Sequence, residues 1–460
     1  MAQSILELKE EDIDNVEKRR KYTVAVIGCN PIGLLHAYLF AEAGFKVFCV
    51  DKNHDLISKI GKGKSYFLKN YVEPFLKKHL KKGYLKATTD IKEAASKSDI
   101  IVITTPVKVD EKARVNYLGI EKICKIIGSV LRKGTLTIVA TIVGVGITEN
   151  LIKENLENSS GFKAGKDFGL AFSPLIIYDG YEIEELKHKR ILAAVDNNSL
   201  KSASLVLKTL GFNLTEIKSL RVAEAATLFT IVSLDVNSAL AIELAVFCEK
   251  IGVDYFNTQK LMETLSSSAR PLQLNFGGIN LREAYVLLNE AEDLDVKLQV
   301  STVARKTNME AFKHAIHLIR EAFKKCGKTL KRARITIFGL SQTPNTNDII
   351  SFSTRKLIKT LEKRGVKLSV YDPYFSSREL TEMGFKAKRT LTEALEGADC
   401  LIFATEHEKF KHLNLKRLKV IMKKPAAIVD LVGIIEPEKA QKEEFIYCGL
   451  GRGVESKWKS

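Results

Sequence analysis

Residues 22–51 limit the possible folds most strongly, because they read as strand, tight turn, helix and strand. The segment "YTVAVIG" is apolar, rich in β-branched residues and closed by a glycine, which is typical of a buried strand. The segment "IGLLHAYLFAEAG" predicts a helix that stops at Gly44, and "FKVFCVD" predicts a second strand that ends at Asp51. The pattern therefore predicts a βαβ unit in which a glycine turn opens the helix.

The turn from Gly28 to Gly33 reads Gly-Cys-Asn-Pro-Ile-Gly, and Asp51 follows at the end of the next strand. A dinucleotide-binding turn reads G-x-G-x-x-G and is followed by an acid for the ribose hydroxyls, so Asn30 replaces the second glycine. Asparagine tolerates left-handed backbone, but its side chain takes up space where the backbone would approach the pyrophosphate. Two interpretations follow: the helix N-terminus binds NAD, or the domain has kept its fold and lost its ligand.

Two further strands contribute to this predicted cofactor site. Residues 98–106 and 134–141 are apolar and end at Thr-Pro and at Thr, on the edge of a parallel sheet where ligands bind in such folds. Asp51 favours the unphosphorylated ribose of NAD, although Lys52 leaves the preference between NAD and NADP open. The predicted cofactor-binding residues are Gly28, Asn30, Ile32, Gly33, Asp51, Thr105 and Thr141.

The remaining chain predicts an α/β fold with two Rossmann-like, doubly wound parallel-sheet domains, joined by a long central helix and a helical middle domain. Residues 219–254 contain no proline and one late glycine, which predicts the long helix, and strand patterns resume after residue 330. The predicted divisions are an N-terminal charged extension (1–21), an NAD-binding Rossmann domain (22–200), a central helical domain (201–328) and a C-terminal Rossmann-like domain (329–460).

Composition excludes several classes of protein. A length of 460 residues suggests two or three domains, and 45% hydrophobic with 28% charged residues is typical of a globular protein. No run approaches the ~20 apolar residues of a membrane span, and residues 1–21 lack an apolar signal core, so we expect a cytoplasmic protein without a membrane partner. The seven cysteines are scattered without C-x-x-C spacing, which argues against a disulfide framework or a metal site.

The net charge of +17 has two interpretations, a polyanionic partner such as nucleic acid or a lysine-rich surface. Lysines are spread along the chain, often beside glutamate, and no aromatic-basic recognition motif is present. Nucleic acid is therefore not the expected partner, whereas a phosphate-bearing small ligand fits a basic protein.

From Tyr22 to Gly453, the order of short motifs resembles the UDP-glucose/GDP-mannose dehydrogenase family. The first half carries the glycine turn with Asp51, then Glu73-Pro74, "GYLKATTD" (83–90), Thr105-Pro106 and "GITE" (146–149). The second half carries "ELAVFCEKIGVD" (243–254), "FGG" (276–278), Asn308, "PNTND" (344–348), "YDP" (371–373), "GAD" (397–399) and "TEH" (405–407).

The resemblance implies oxidation of the hydroxymethyl group of a nucleotide-sugar to a carboxylate with two NAD, through a cysteine that traps the aldehyde and yields a thioester. It also implies a homodimer formed through the central helix, a nucleotide-sugar or related small molecule as partner, and a role in polysaccharide precursor biosynthesis. The implied substrate-binding residues are Phe276, Gly277 and Gly278.

The chain departs from the family at the positions that carry catalysis. Where the family has Ser-Cys after the glycine pair, this chain has Ile279-Asn280, and an amide nitrogen forms no thiohemiacetal. The other changed positions hold Leu175 for a glutamate, Thr227 for a lysine, Ile231 for an asparagine and Ala284 for an aspartate. Neighbouring motifs fix how these five positions align with the family, so the five changes together indicate that the four-electron chemistry is lost.

The C-terminal half departs at cationic positions. Thr343, Ile350 and Val432 stand where the family carries lysine, arginine and arginine, which bind diphosphates. Four nearby cations are candidate substitutes or solvated surface charges: Lys331, Arg332, Arg334 and Arg355.

Three interpretations of function remain. The chain is a nucleotide-sugar dehydrogenase with relocated catalysts, an enzyme with two-electron or otherwise altered chemistry on a related substrate, or a non-catalytic, regulatory family member, that is, a pseudoenzyme. Single hydride transfer needs a cofactor and a base, and the candidate bases are His36, Asp179 and Glu283. The last interpretation is the one that we favour.

Overall fold

The computed structural model describes residues 4–65, 69–110, 112–176, 190–265, 272, 274, 276, 282–347 and 350–453. The chain forms two structural units. The first comprises Met1–Val232 with Arg282–Lys297, and the second comprises Ser233–Leu281 with Leu298–Ser460. Gly277, Gly278, Asn280 and Asp179 lie outside the described residues.

Among the described residues of the first unit, eight strands form one sheet in the order β10-β9-β8-β7-β4-β1-β2-β3. Its strands pair in parallel except at β8 and β9, which run antiparallel. The strands of this unit are β1 (Thr23–Ile27), β2 (Lys46–Val50), β3 (Leu85–Thr88), β4 (Ile100–Ile103), β5 (Lys108–Val109), β6 (Val115–Asn116), β7 (Leu136–Val139), β8 (Gly169–Phe172), β9 (Arg190–Ala194) and β10 (Leu214–Ile217), of which β5 and β6 form a separate ribbon.

Helices cover both faces of this sheet. Val24 and Val26 of β1 pack into one hydrophobic cluster, and Ala25 and Ile27 pack into another, as expected for a sheet buried on both sides. The helices of this region are α1 (Val16–Arg19), α2 (Pro31–Glu42), α3 (His54–Gly61), α4 (Lys69–Lys81), α5 (Ile91–Ser96), α6 (Leu118–Gly128), α7 (Glu154–Ser160) and α8 (Asn197–Lys208), with a π-helical turn at Thr148–Lys153.

The charged N-terminal segment carries apolar side chains that join this core. Ile5, Leu8 and Ile13 are buried in the same cluster as Val24. The backbone N–H of Ile5 donates to the carbonyl of Gly134 at 3.2 Å. The segment predicted as a charged extension therefore packs on the first unit.

In the described part of the chain, four helices follow: α9 (Leu220–Ile251), α10 (Tyr255–Leu265), α11 (Ala284–Asp293) and α12 (Gln299–Lys325). The predicted long helix is α9, which spans 32 residues and contains the boundary between the units. Among the described residues, α9 is long and apolar enough to cross a membrane by length and composition alone, a test that the core helix of a globular protein also passes, and 44% of its most apolar window is buried. Helix α11 belongs to the first unit, and α10 and α12 belong to the second.

The second unit contains a fully parallel sheet in the order β12-β11-β13-β14-β15 within the part of the chain that is described. These strands are β11 (Arg334–Phe338), β12 (Lys367–Tyr371), β13 (Cys400–Phe403), β14 (Ala427–Asp430) and β15 (Ile446–Gly449). The helices are α13 (Phe352–Lys363), α14 (Ser377–Glu382), α15 (Leu391–Leu395), α16 (Glu408–Lys411), α17 (Leu415–Ile421) and α18 (Pro437–Lys442). The two parallel-sheet domains confirm the predicted fold class.

Candidate functional site

The glycine turn connects β1 to α2 at the carboxyl end of the sheet. Gly28 has φ +111°, and a Cβ there would lie 2.9 Å from the backbone nitrogen of Thr105. A Cβ on Gly33 would lie 1.7 Å from the carbonyl oxygen of Gly28. Side chains are thus excluded at both positions, and α2 begins directly over the ends of β1 and β4.

Asn30 caps the helix that the turn opens. Its Oδ1 accepts from the N–H of Gly33 at 2.8 Å, and its Nδ2 donates to the carbonyl of Thr104 at 2.7 Å. Pro31, the first residue of α2, has no N–H. Among the described residues, this leaves the N–H of Ile32 as the free donor in the first three helical positions.

Asp51 directly follows β2 and is half-buried. Its Oδ2 accepts from the N–H of Cys29 at 2.9 Å, and its Oδ1 accepts from the N–H of Asn53 at 3.0 Å. Each carboxylate oxygen has a second lone pair, so these contacts leave capacity for ribose hydroxyls. The chain brings Gly28, Gly33 and Asp51 together at β1, which has β2 on one side and β4 on the other, the switch point where dinucleotides bind.

The two predicted threonines differ in their surroundings. Thr105 Oγ1 donates to the carbonyl of Ile27 at 3.0 Å, so its side chain lies against the glycine turn. Its neighbour Thr104 donates to the carbonyl of Gly28 at 2.7 Å. Thr141 is buried just beyond β7, the strand next to β4.

An Asn30→Gly variant should bind NADH several-fold more tightly and be slightly less stable. The change removes a side chain from the pyrophosphate approach and releases the N–H of Gly33 to the ligand. Replacing an asparagine cap with glycine lowers the free energy of unfolding by only about 0.3 kcal/mol. Calorimetric titration with NADH measures the affinity, and weaker binding by the variant would contradict this role of Asn30.

Three residues that no sequence motif predicted as site residues contact the loop after β7. The hydroxyl of Tyr117 accepts from the N–H of Gly144 at 3.0 Å, and Glu290 Oε1 accepts from the N–H of Val145 at 2.8 Å. Glu224 accepts from the N–H groups of Gly146 and Thr148 at 2.5 and 2.9 Å. They come from a loop, α11 and α9, so no local spacing in the sequence could reveal the group.

Gly144 admits this arrangement, because a Cβ there would lie 1.7 Å from Glu290 Oε1 and 2.7 Å from the Tyr117 hydroxyl. Burial raises the pKa of Glu224, and it also raises the pKa of Glu290, to which the charge of Glu224 adds. Burial likewise raises the pKa of Tyr117. A half-buried carboxyl group with a raised pKa, Glu290, therefore lies against the loop that follows β7.

The described positions of the first unit that the resemblance assigns to catalysis are buried and carry no titratable group. Leu175, Ile231 and Ala284 are apolar and 4%, 0% and 2% exposed. The hydroxyl of Thr227 donates to the carbonyl of Ala223, one turn earlier in α9, at 2.8 Å. Phe276, the described member of the predicted substrate loop, is buried in the core of the second unit.

His36 is a structural residue rather than a base facing a substrate. Its Nδ1 donates to the carbonyl of Ile32 at 2.8 Å, and its Nε2 accepts from Arg190 at 2.9 Å. Burial and the Arg190 guanidinium lower the pKa of His36 to about 3, so the imidazole stays neutral. Another candidate base, Glu283, is half-buried and directly precedes α11.

In the second unit, most of the candidate substitute cations lie away from the ligand edge. Arg334 is the first residue of β11, and Lys331 and Arg332 precede it, so these three are at the amino end of the sheet. Arg355 lies in α13 and stacks on Phe385, with its guanidinium 5.1 Å from the ring centroid. The amino-end position argues against a role for the first three in binding a diphosphate at the carboxyl edge.

The carboxyl edge of this sheet is stabilised by a buried polar network around His407. Its Nδ1 accepts from the N–H of Asn345 at 2.9 Å, so the proton is on Nε2, which donates to Asp372 at 3.1 Å. Ser341 approaches that same Nε2 at 3.4 Å, so these residues do not form the relay of a serine hydrolase. Burial opposes ionisation of Asp372, but His407 and backbone donors outweigh it and lower the pKa of this carboxyl.

Two family models match this chain. Residues 22–210 match the NAD binding domain of the UDP-glucose/GDP-mannose dehydrogenase family, and residues 336–437 match its UDP binding domain. The chain belongs to the UDP-glucose/GDP-mannose dehydrogenase family. The match also confirms NAD as the cofactor of the first domain, where the geometry of Gly28, Gly33 and Asp51 fits a dinucleotide.

Curated relatives of the family align along almost the whole chain. The UDP-N-acetyl-D-mannosamine dehydrogenase of Pyrococcus horikoshii is 27% identical over 94% of this chain and 99% of its own. The UDP-glucose 6-dehydrogenase of Rhizobium meliloti is 26% identical over 93% of this chain and 99% of its own.

Solved structures share the fold. The structure of the UDP-D-ManNAc dehydrogenase of Pyrococcus horikoshii has a TM-score of 0.81 at 25% identity and covers 94% of this chain and 100% of its own. The UDP-glucose dehydrogenase of Pyrobaculum islandicum has a TM-score of 0.79 at 20% identity and covers 94% of this chain and 98% of its own.

Proposed function

We propose that this chain is an NAD(H)-binding, non-catalytic member of its family, with a regulatory role, in which the four-electron oxidation is lost. One observation carries the proposal: the described positions that the resemblance assigns to catalysis hold buried residues without a group that titrates near neutral pH, and the one hydroxyl among them, on Thr227, donates to a carbonyl of its own helix. These residues are Leu175, Thr227, Ile231 and Ala284. The fifth changed position, Asn280, adds an amide where the reaction needs a thiolate.

The NAD part of the proposal depends on the first unit alone. When bound, NAD supplies a hydride acceptor. Gly28 and Gly33 keep the turn tight, the N–H of Ile32 faces the pyrophosphate, and Asp51 orients the ribose. None of these roles requires a catalytic base, so cofactor binding can persist after catalysis is lost.

A stoichiometric assay tests the proposal. The purified protein is mixed with NAD and either UDP-N-acetylmannosamine or UDP-glucose, and NADH is followed by absorbance while sugar acids are followed by mass spectrometry. We expect NADH binding by calorimetry but no turnover. Two NADH and one carboxylate formed per sugar would overturn the proposal, and absence of NADH binding would overturn its cofactor part.

A second candidate function is supported by Glu290. Its half-buried carboxyl group, with a raised pKa, lies beyond β7 and could act as the base for a single hydride transfer from a nucleotide-sugar CH–OH group. Such a two-electron oxidoreductase would serve polysaccharide or glycan precursor biosynthesis in the cytoplasm.

The second candidate predicts one NADH per sugar and a rate that rises with pH. Because the pKa of Glu290 lies above its ordinary value, activity should increase as the pH rises through that raised pKa and the carboxylate forms. Glu290→Gln should abolish turnover, whereas Glu292→Gln, an exposed position on the same helix, should not. Equal rates for both variants would remove Glu290 from this role.

A homodimer through α9 is the proposed assembly. Large apolar side chains recur along this helix at exposed positions, with Phe229 60%, Leu240 42% and Phe247 58% exposed. A second copy would remove this apolar surface from water. Light scattering measures the mass of the protein and of a Phe229→Glu/Phe247→Glu variant. We expect the mass of a dimer for the protein and that of a monomer for the variant, and the same mass for both would contradict the proposed dimer.

A further inference from the structure

The amino end of the second parallel sheet carries a dense group of exposed cations, which we call the basic edge. These residues begin the strands β11 and β12 or lie in the segments that lead into β11, β12 and β14. They are Lys331, Arg332, Arg334, Lys363, Arg364, Lys367, Lys423 and Lys424. The basic edge is thus at the other end of the sheet from the carboxyl ends of the strands, where such folds bind small ligands.

Hydrogen bonds hold the loops of the basic edge side by side. The N–H of Arg332 donates to the carbonyl of Gly365 at 3.0 Å, which joins the loop before β11 to the loop before β12. Lys328 Nζ donates to the carbonyl of Lys423 at 2.9 Å and pairs with Asp399 at 2.8 Å, which joins the loops before β11, β14 and β13. Cations from distant parts of the sequence therefore form one surface.

The positive charge of the basic edge is not neutralised by acidic partners. None of its eight cations forms an ion pair within the described part of the chain. The acids nearest to them in the sequence are fewer, namely Glu362, Glu396, Asp399, Glu443 and Glu444. Of these, Asp399 is already paired with Lys328, and Glu444 is paired with Lys419. A polyanion at this edge would therefore meet an excess of unpaired positive charge.

The side chains of the basic edge distinguish between classes of polyanion. Its loops, residues 328–334, 363–367 and 423–426, hold no exposed aromatic side chain and no exposed Leu, Ile, Val or Met. Protein interfaces bury an apolar, aromatic-rich centre, and membrane-surface helices insert Trp, Phe or Leu. Single-stranded nucleic acid stacks its bases on aromatic rings. A nucleic acid duplex needs none of these, because lysine and arginine bind its phosphate backbone directly.

We propose that the basic edge binds the phosphate backbone of a double-stranded nucleic acid without regard to base sequence. This function is separate from cofactor binding, because the basic edge belongs to the second unit and the NAD binding domain lies in the first. The net charge of +17 favours such sequence-independent association.

Fluorescence anisotropy with a short labelled DNA duplex tests the proposal on the full-length protein. We expect a Kd of about 1 to 100 µM near physiological salt and a steep loss of affinity as salt rises. A Lys331→Ala/Lys367→Ala variant should bind at least about tenfold more weakly, and its slope of log K against log salt should be shallower by about 2, because each lysine neutralises one phosphate. A Lys363→Gln/Lys424→Gln variant, which removes two other charges from the same edge, should show the same loss.

A matched control separates this edge from the total charge of the protein. Lys122→Ala/Lys201→Ala removes two exposed lysines of the first unit that form no ion pair with described residues, and it should leave affinity and slope unchanged. Equal losses in the control and in the basic-edge variants would overturn the proposal. Urea unfolding of each variant verifies that the compared proteins are folded.

Three further probes define the partner. The single strand of the same sequence should bind more weakly than the duplex, because the basic edge offers no ring for base stacking. DNA and RNA duplexes of one sequence identify the source of the phosphate backbone, and tight binding of either supports the proposal. No binding of either duplex, or tighter binding of the single strand or of phosphatidylserine vesicles than of a duplex, would overturn it.

Discussion

Replacing Gly33 with alanine should destabilise the protein by about 3 kcal/mol and abolish measurable NADH binding. The added Cβ would lie 1.7 Å from the carbonyl oxygen of Gly28 and 2.9 Å from its carbonyl carbon. These are backbone atoms, so relief requires α2 to move away from β1, which also opens the turn that would cradle the pyrophosphate. Urea unfolding gives the stability, and calorimetric titration with NADH gives the affinity.

Gly119 provides a matched control, because it is also a helical glycine without a positive φ, and a Cβ there would meet nothing within 4 Å. Gly119→Ala should be neutral or stabilise the protein by roughly 0.5–1 kcal/mol, since alanine loses less backbone entropy in a helix than glycine. If the Gly33 and Gly119 variants had the same stability and affinity, close packing of the turn would not be what Gly33 contributes.

The glycine turn could be predicted because its information is local. The apolar run from Tyr22, the glycines and Asp51 lie within 30 residues of chain, and sterics leave few other ways to join a buried strand to a helix. The same reasoning predicted α9 and the second parallel sheet, because long segments with a clear period carry their structure in the sequence.

The loop after β7 could not be predicted in the same way. Glu290 is 145 positions from its partner Val145, and Asn289 bonds Val115 across 174 positions. Neither residue belongs to a pattern that fixes the pairing, which arises only when α11 packs on the first unit. The antiparallel pairing of β9 with β8 was not predicted for a related reason. The apolar pattern of a buried strand does not show whether the strand runs parallel or antiparallel to its neighbour.

Replacing Asp235 with alanine should have the second large effect, a loss of about 3 to 5 kcal/mol of stability. Asp235 of α9 accepts from the Arg305 guanidinium of α12 at 2.8 Å, and both side chains are almost fully buried. Asn308 also donates to Asp235 at 2.8 Å. The alanine variant would leave the guanidinium buried without its carboxylate, and urea unfolding measures the cost. Glu382→Ala, which removes an exposed ion pair with Arg378, should be silent by comparison.

A double variant separates the worth of this ion pair from the cost of breaking it. Burial raises the pKa of Asp235 even though Arg305 and Asn308 oppose that shift, so desolvation outweighs the attraction between the charges. An Asp235→Leu/Arg305→Met variant, which removes both charges and keeps the volume, should therefore be more stable than Asp235→Ala and close to the unmodified protein. If the double variant were as unstable as Asp235→Ala, the ion pair itself would stabilise the packing of α9 against α12. The loss in the single variant would then not arise from the cost of burying the remaining charge.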